Sequence, residues 1–351
     1  MEKQNCLKFS EQARLHQLSW REKQTDLTDK CGMQNRVTYN HILPTEEWLG
    51  GVWACIREPL CCYLDSSGIQ ANTGKHNLKS SWTQCANIFF PFRIDGNARR
   101  MLASFLSRQL GIDVKTIDGV ELEYAADGKL SPSQLLGEAN GMRGSGQTSP
   151  DVAIFFTCSD GQCGIYLIEN KYTEHHFYGC SATRKTLDKA YIDRGLEPNP
   201  NPKRCEDKDS LVSNVAGTCH QAVWGRQYWQ ILIKTVNEQV LKELNYCPAM
   251  RDGYQLLRQQ ALAQGIADSG LFDFVYSGVA YDGRNNELIS CLKRVGINDF
   301  REGWPKLFNT EVRFHCFTHQ DLVEFIRDSK STFVKKWVNY INGRYSYSLD
   351  R

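Results

Sequence analysis

Two short apolar runs joined by an Asp-Gly turn constrain this 351-residue chain more than any other stretch. Val152-Ala153-Ile154-Phe155-Phe156 and Gly164-Ile165-Tyr166-Leu167-Ile168 have strand composition. The polar cluster Ser159-Asp160-Gly161-Gln162 between them predicts a β-hairpin. A turn centred on Asp160 and Gly161 sets Asp151 opposite Asn170, beside Glu169. Glu169 and Lys171 are two residues apart on the returning strand and share a face. Two carboxylates and an ammonium therefore meet where the hairpin ends. That grouping suits a hard divalent cation, and it equally fits a cross-strand salt bridge.

The rest of the sequence predicts a mixed α/β fold. Asn97 to Leu110 carries an apolar stripe of Leu102, Phe105, Leu106 and Leu110, with Gly111 placed to end the helix. Tyr254 to Ala263 reads as a second helix, with Gly265 as its stop. Val120 to Tyr124, Phe272 to Tyr276 and Val312 to Phe317 read as strands. Thr318-His319-Gln320-Asp321 resembles a capping box opening a helix. An aromatic helix is expected around Val223 to Thr235. The domain reading is an N-terminal extension or small subdomain over residues 1–80, then one domain over 81–351 with a Cys-rich insert at about 179–250.

Hydrophobic residues at 41% and charged residues at 23% fit an ordinary soluble domain. A net charge of +2 leaves room for a polyanionic partner only through a local basic patch. The polar N-terminus does not read as a signal peptide, and no apolar run approaches the roughly 20 residues that span a bilayer. The expected setting is cytoplasmic with no membrane partner, so the 14 cysteines are expected as free thiols or metal ligands.

Magnesium is held by one or two carboxylates together with waters and substrate oxygens. Asp151 and Glu169 supply those carboxylates, and the main-chain carbonyl of Asn170 offers another ligand. Lys171 is placed to orient a nucleophile or stabilise developing negative charge.

Three blocks carry a family likeness: Gly144-Ser145-Gly146-Gln147-Thr148-Ser149-Pro150-Asp151, Ile168-Glu169-Asn170-Lys171-Tyr172-Thr173-Glu174 and Tyr254-Gln255-Leu256-Leu257-Arg258-Gln259-Gln260. Together they resemble the PD-(D/E)XK nuclease superfamily, and within it a group of uncharacterised restriction endonucleases. The resemblance implies a restriction-endonuclease-like core, a mixed β-sheet flanked by helices. It also implies phosphodiester hydrolysis with Mg²⁺ (Mn²⁺ as a substitute) and a DNA substrate, double-stranded, in defence or DNA processing. Asp151, Glu169 and Lys171 become the catalytic residues. Glu138 is the candidate extra acid from a preceding helix, and Gln255, with Gln259 second, is the candidate partner of the lysine. Asn170 departs from the pattern, because the residue between Glu and Lys is usually apolar; an amide there needs a buried partner.

Some members of that superfamily carry zinc or an iron–sulfur cluster, which makes Cys180, Cys205, Cys219 and Cys247 a possible ligand set, although no CxxC spacing supports it. Arg143 is a candidate phosphate contact. A homodimer would let one complex cut both strands. A DNA-binding module without catalysis and a nuclease acting on RNA or single strands stand as alternatives.

Overall fold

The structure, a computed structural model, describes residues 7–27 and 29–347. Its centre is a five-stranded mixed sheet, β1 (Val114–Leu122), β2 (Val152–Cys158), β3 (Cys163–Lys171), β4 (Phe274–Tyr281) and β5 (Arg313–Thr318), in spatial order β1-β2-β3-β4-β5. β1, β2 and β3 run antiparallel; β4 and β5 join β3 in parallel.

The hairpin forms where the sequence predicts it, with its register one residue away. Val152 pairs with Ile168 and Ala153 with Leu167, which carried one step further puts Asp151 opposite Glu169. The cause lies in the turn. Cys158 N–H donates to the Gln162 carbonyl at 2.8 Å, so the loop holds three residues instead of two. A two-residue loop of the favoured type needs positive φ at both centres, and only Gly161 adopts it, at +89°. Asp160 Oδ1 accepts the Gln162 N–H at 3.0 Å and supports the longer turn. Side chains alternate along strands, so this register puts Asp151, Glu169 and Lys171 on one face.

That alternation divides the core in two. Val152, Ile154, Phe156, Tyr166 and Ile168 join one hydrophobic cluster, and Ala153, Ile165 and Leu167 join the other. Over the first face lie α2 (Ser81–Ile94), α3 (Gly96–Leu110), α5 (His319–Ile326) and α6 (Thr332–Tyr345); α4 (Tyr254–Asp268) covers the second. Gly111 ends α3 in the left-handed region at φ +66°, and Thr318 with Asp321 forms the full capping box of α5.

α4 runs past Gly265, where a Cβ would stand 3.3 Å from Leu135. The expected aromatic helix is split into His220–Val223 and Tyr228–Leu232, with Gly225 at φ +78° between them. β1 begins earlier than expected and stops at Leu122. At the N-terminus, α1 (Phe9–Glu22) lies on α6, and its buried Gln17 donates to the Arg344 carbonyl at 2.8 Å and to the Tyr172 hydroxyl at 3.2 Å.

Candidate active site

The odd-numbered face of β3 brings Glu169 and Lys171 beneath the first turns of α4. Both are buried, with 6% and 3% of their surface exposed. Lys171 Nζ donates to Glu169 Oε1 at 2.9 Å and to Gln255 Oε1 at 3.0 Å. Gln255 Nε2 closes the triangle, donating to the same Glu169 oxygen at 2.6 Å. Burial works to lower the Lys171 pKa, but Glu169, Glu174 and Asp151 outweigh it and raise it, so the side chain stays an ammonium.

Asp151 sits beside them at the end of β2, where its Oδ2 accepts the Asn170 N–H at 2.7 Å. A third carboxylate that the sequence reading did not single out, Glu123, completes the group. It follows β1 directly, its N–H donates to the Asp151 carbonyl at 2.9 Å, and its backbone is left-handed at φ +47°. That conformation is uncommon for a residue with a Cβ, and such strain tends to concentrate at functional sites. Glu123, Asp151 and Glu169 line one cavity of about 200 Å³, with Gln255 and Arg258 on its wall. Burial first, then Glu169, pushes the Glu123 carboxyl up to about 8. Burial, Glu169 and Glu123 together hold Asp151 well above the usual carboxylate range. Alternation along Val120 to Tyr124 already set Glu121 and Glu123 at the end of a strand, which is the signal by which Glu123 can be found.

Lys171 pairs with Glu169 and Arg258 stands on the cavity wall, while burial and the neighbouring acids shift Glu123 and Asp151 towards their protonated forms. A divalent cation is the chemical complement of such a set, and hard oxygen donors suit Mg²⁺ or Mn²⁺. Among the described residues, no group of three or more His, Cys, Asp or Glu side chains is placed to hold a metal ion by itself, the carboxylates and the four cysteines of the insert included. Magnesium does not require such a group, since it keeps waters and borrows substrate oxygens.

Asn170 points to the opposite face, and its surroundings explain the amide. Its Nδ2 donates to Gln84 Oε1 at 2.7 Å and to the Ser81 carbonyl at 3.1 Å; its Oδ1 faces His319 Nε2 at 2.9 Å. Gln84 Nε2 then donates to His319 Nδ1 at 2.9 Å and to the Tyr347 hydroxyl at 2.8 Å. These partners require His319 to carry its proton on Nε2 and to stay neutral, in keeping with burial, which lowers its pKa to about 3. A closed polar network thus pins β3 to α2 and α5.

Glu138 lies apart from the carboxylate cavity. Its Oε1 accepts from the hydroxyls of Thr148 at 2.5 Å and Tyr228 at 2.6 Å, its Oε2 accepts the Thr148 N–H at 2.5 Å, and Arg258 stands 3.6 Å away. Gln259 borders the carboxylate cavity, and its Nε2 donates to the Leu167 and Gly278 carbonyls and to Ser277, holding α4 on the sheet.

The model of a family described as restriction endonuclease associating with ARP matches residues 14–346. The chain belongs to this restriction-endonuclease family. No curated protein and no solved structure matches the chain. The family match spans β1 through α6 and so contains every residue of the cavity just described. In this family member, Arg143 is engaged within the fold, donating to Glu121 at 3.0 Å, to the Tyr63 hydroxyl at 2.8 Å and to the Leu122 carbonyl at 2.6 Å. Cys180, Cys205, Cys219 and Cys247 do come together, around a small cavity of about 20 Å³. Burial pushes their thiols up, Cys205 to about 11 and Cys180 to about 12. Among the described residues, no helix is long and apolar enough to cross a membrane.

Proposed function

We propose that this restriction-endonuclease family member hydrolyses phosphodiester bonds of DNA at the Glu123–Asp151–Glu169 cavity, with Lys171 paired to Glu169 beside it, Mg²⁺ as its cofactor and Mn²⁺ as a substitute. The observation that carries the reading is that Glu123, Asp151 and Glu169 line one cavity, with Glu169 paired to the buried Lys171 ammonium. A salt bridge alone needs one acid, and surplus buried carboxylates are costly unless something binds them.

Asp151 and Glu169 would hold the cation, with Glu123 or the Asn170 carbonyl completing its protein ligands. When bound, the ion supplies neutralisation of the charge that builds on the phosphorane-like transition state and a lowered pKa for a bound water. Lys171 keeps its proton and presents a fixed positive charge to the non-bridging phosphate oxygens. Gln255 holds the Lys171 ammonium and Glu169 Oε1 in one geometry, so neither side chain has to reorganise as charge develops. The Asn170 network keeps β3 from sliding under the load of two buried charges.

Plasmid and linear DNA incubated with the protein, with and without Mg²⁺ and beside Lys171→Ala, test this reading. Metal-dependent nicking or linearisation that Lys171→Ala lacks is expected. Equal amounts of intact substrate for both proteins, across a panel that includes RNA, would overturn it.

A further inference from the structure

A second cavity adjoins the carboxylates on the side of the insert. It encloses about 300 Å³, at the small end of ligand pockets. Its floor is the Glu138 group already described. Its walls carry the half-buried rings of Tyr191 and Trp224, whose centroids lie 6.0 Å apart and tilted by 37°. Trp224 is held in place by its indole N–H, which donates to the Glu197 carbonyl at 2.9 Å. At the mouth, the exposed Arg194 brings a guanidinium nitrogen to 3.7 Å from where a Cβ on Gly146 would stand. The Arg194 side chain makes no hydrogen bond or ion pair with the other described residues. Arg226 donates to the Gly137 carbonyl at 2.8 Å through one nitrogen and leaves the rest of its guanidinium uncommitted. Three arginines, Arg194, Arg226 and Arg258, thus line a space with one carboxylate, Glu138, which Arg258 and two hydroxyls already satisfy.

Surplus positive charge beside fixed aromatic surface is the chemistry that takes a phosphate and a planar base together. The location gives the source. Gln147 and Arg258 line both this cavity and the carboxylate cavity, so a strand whose scissile phosphate sits at the carboxylates would place an adjacent nucleotide here. The volume admits one nucleotide and excludes a duplex. We propose that this cavity is a subsite for a single unpaired nucleotide of the substrate strand next to the cut, its base against Trp224 and Tyr191 and its phosphate on Arg194 and Arg226. The proposal rests on the nuclease reading above, and it makes the substrate a strand that is single, or locally opened, beside the scissile bond.

The test is fluorescence anisotropy of a short dye-labelled oligothymidylate bound to the full chain in EDTA, where no cleavage occurs, over a series of salt concentrations. The double variant Arg194→Ala/Arg226→Ala should bind about tenfold more weakly, and its slope of log affinity against log salt should fall by about 1. Trp224→Ala should lose about tenfold, and Trp224→Phe should recover most of it. Arg194→Glu, a change at an exposed position, checks the charge effect without disturbing the core. Binding and salt slope equal to wild type in all four variants would overturn the subsite. So would free AMP binding as tightly as the oligonucleotide, which would indicate a site for a free nucleotide. Cleavage is read separately. If wild type cuts nothing while the arginine variants lose binding, the nuclease reading falls and the cavity stands only as a binding site for an unpaired nucleotide, without a cut beside it. If wild type cuts and the variants bind like wild type, the subsite alone falls.

Discussion

Replacing Glu123 by Gln should stabilise the metal-free protein by an amount that depends on pH. The Glu123 carboxyl is raised from 4.5 to about 8 in the folded state. A group raised on folding contributes fully below its unfolded pKa, and that contribution is lost as pH rises through the folded value. Between pH 4.5 and about 8 the unfolded chain has released the proton and the folded one has not. At pH 7 the difference is about 2.5 pK units, or about 3 kcal/mol against folding. Glutamine copies the shape of the protonated acid and never ionises. In EDTA, urea unfolding should therefore show Glu123→Gln more stable than wild type by about 3 kcal/mol at pH 7, with the gap closing towards pH 4.5. Added Mg²⁺ should narrow the gap at pH 7, because a bound cation stabilises the ionised cluster of wild type and finds a weaker site in the variant. A variant no more stable than wild type at pH 7 in EDTA, or a gap independent of pH, would refute the placement of Glu123 among the carboxylates.

Asn170→Leu strands the Gln84 acceptor and the His319 Nε2 proton in the core, and at about 1–3 kcal/mol for each orphaned group it should cost about 2–6 kcal/mol in urea unfolding. Gln255→Leu should lower the cleavage rate about 10–100-fold while leaving DNA affinity near wild type, since it loosens Lys171 and Glu169 without removing a charge. His319 acts in the opposite sense to Glu123: its pKa is lowered on folding, so stability is complete above about 6.5 and is lost as pH falls towards 3. Between pH 7 and pH 5 that loss is about 2 kcal/mol, and His319→Gln, compared with wild type by urea unfolding, should flatten it.

The parts of the site that the sequence showed are those set by short-range rules. Strand composition around an Asp-Gly turn placed the hairpin and so brought Asp151, Glu169 and Lys171 together. Gln255 came only from the family likeness, which sets a glutamine on the helix after the motif strand, and in the fold it does meet Lys171. The register was legible only to within one residue, because the choice between a two- and a three-residue loop depends on backbone angles at Asp160 and Gly161. Glu138 looked favourable as the acid nearest before the motif, yet the chain folds it towards Thr148 and Tyr228. Glu123 arrives from a strand paired through β2, a contact that spacing along the chain does not encode. α2 has no apolar period to read, since every residue from Trp82 to Phe92 is buried. Asn170 fits least well in the linear sequence because its partners lie far away at Gln84 and His319; in the fold it is the best-satisfied amide of the site.

Anomalous diffraction from crystals soaked in Mn²⁺ tests the central claim most directly. A peak in the cavity bounded by Glu123, Asp151 and Glu169, lost in Asp151→Asn/Glu169→Gln, is the result this account predicts. An empty carboxylate cavity at saturating Mn²⁺, with the ion bound elsewhere or nowhere, would contradict it.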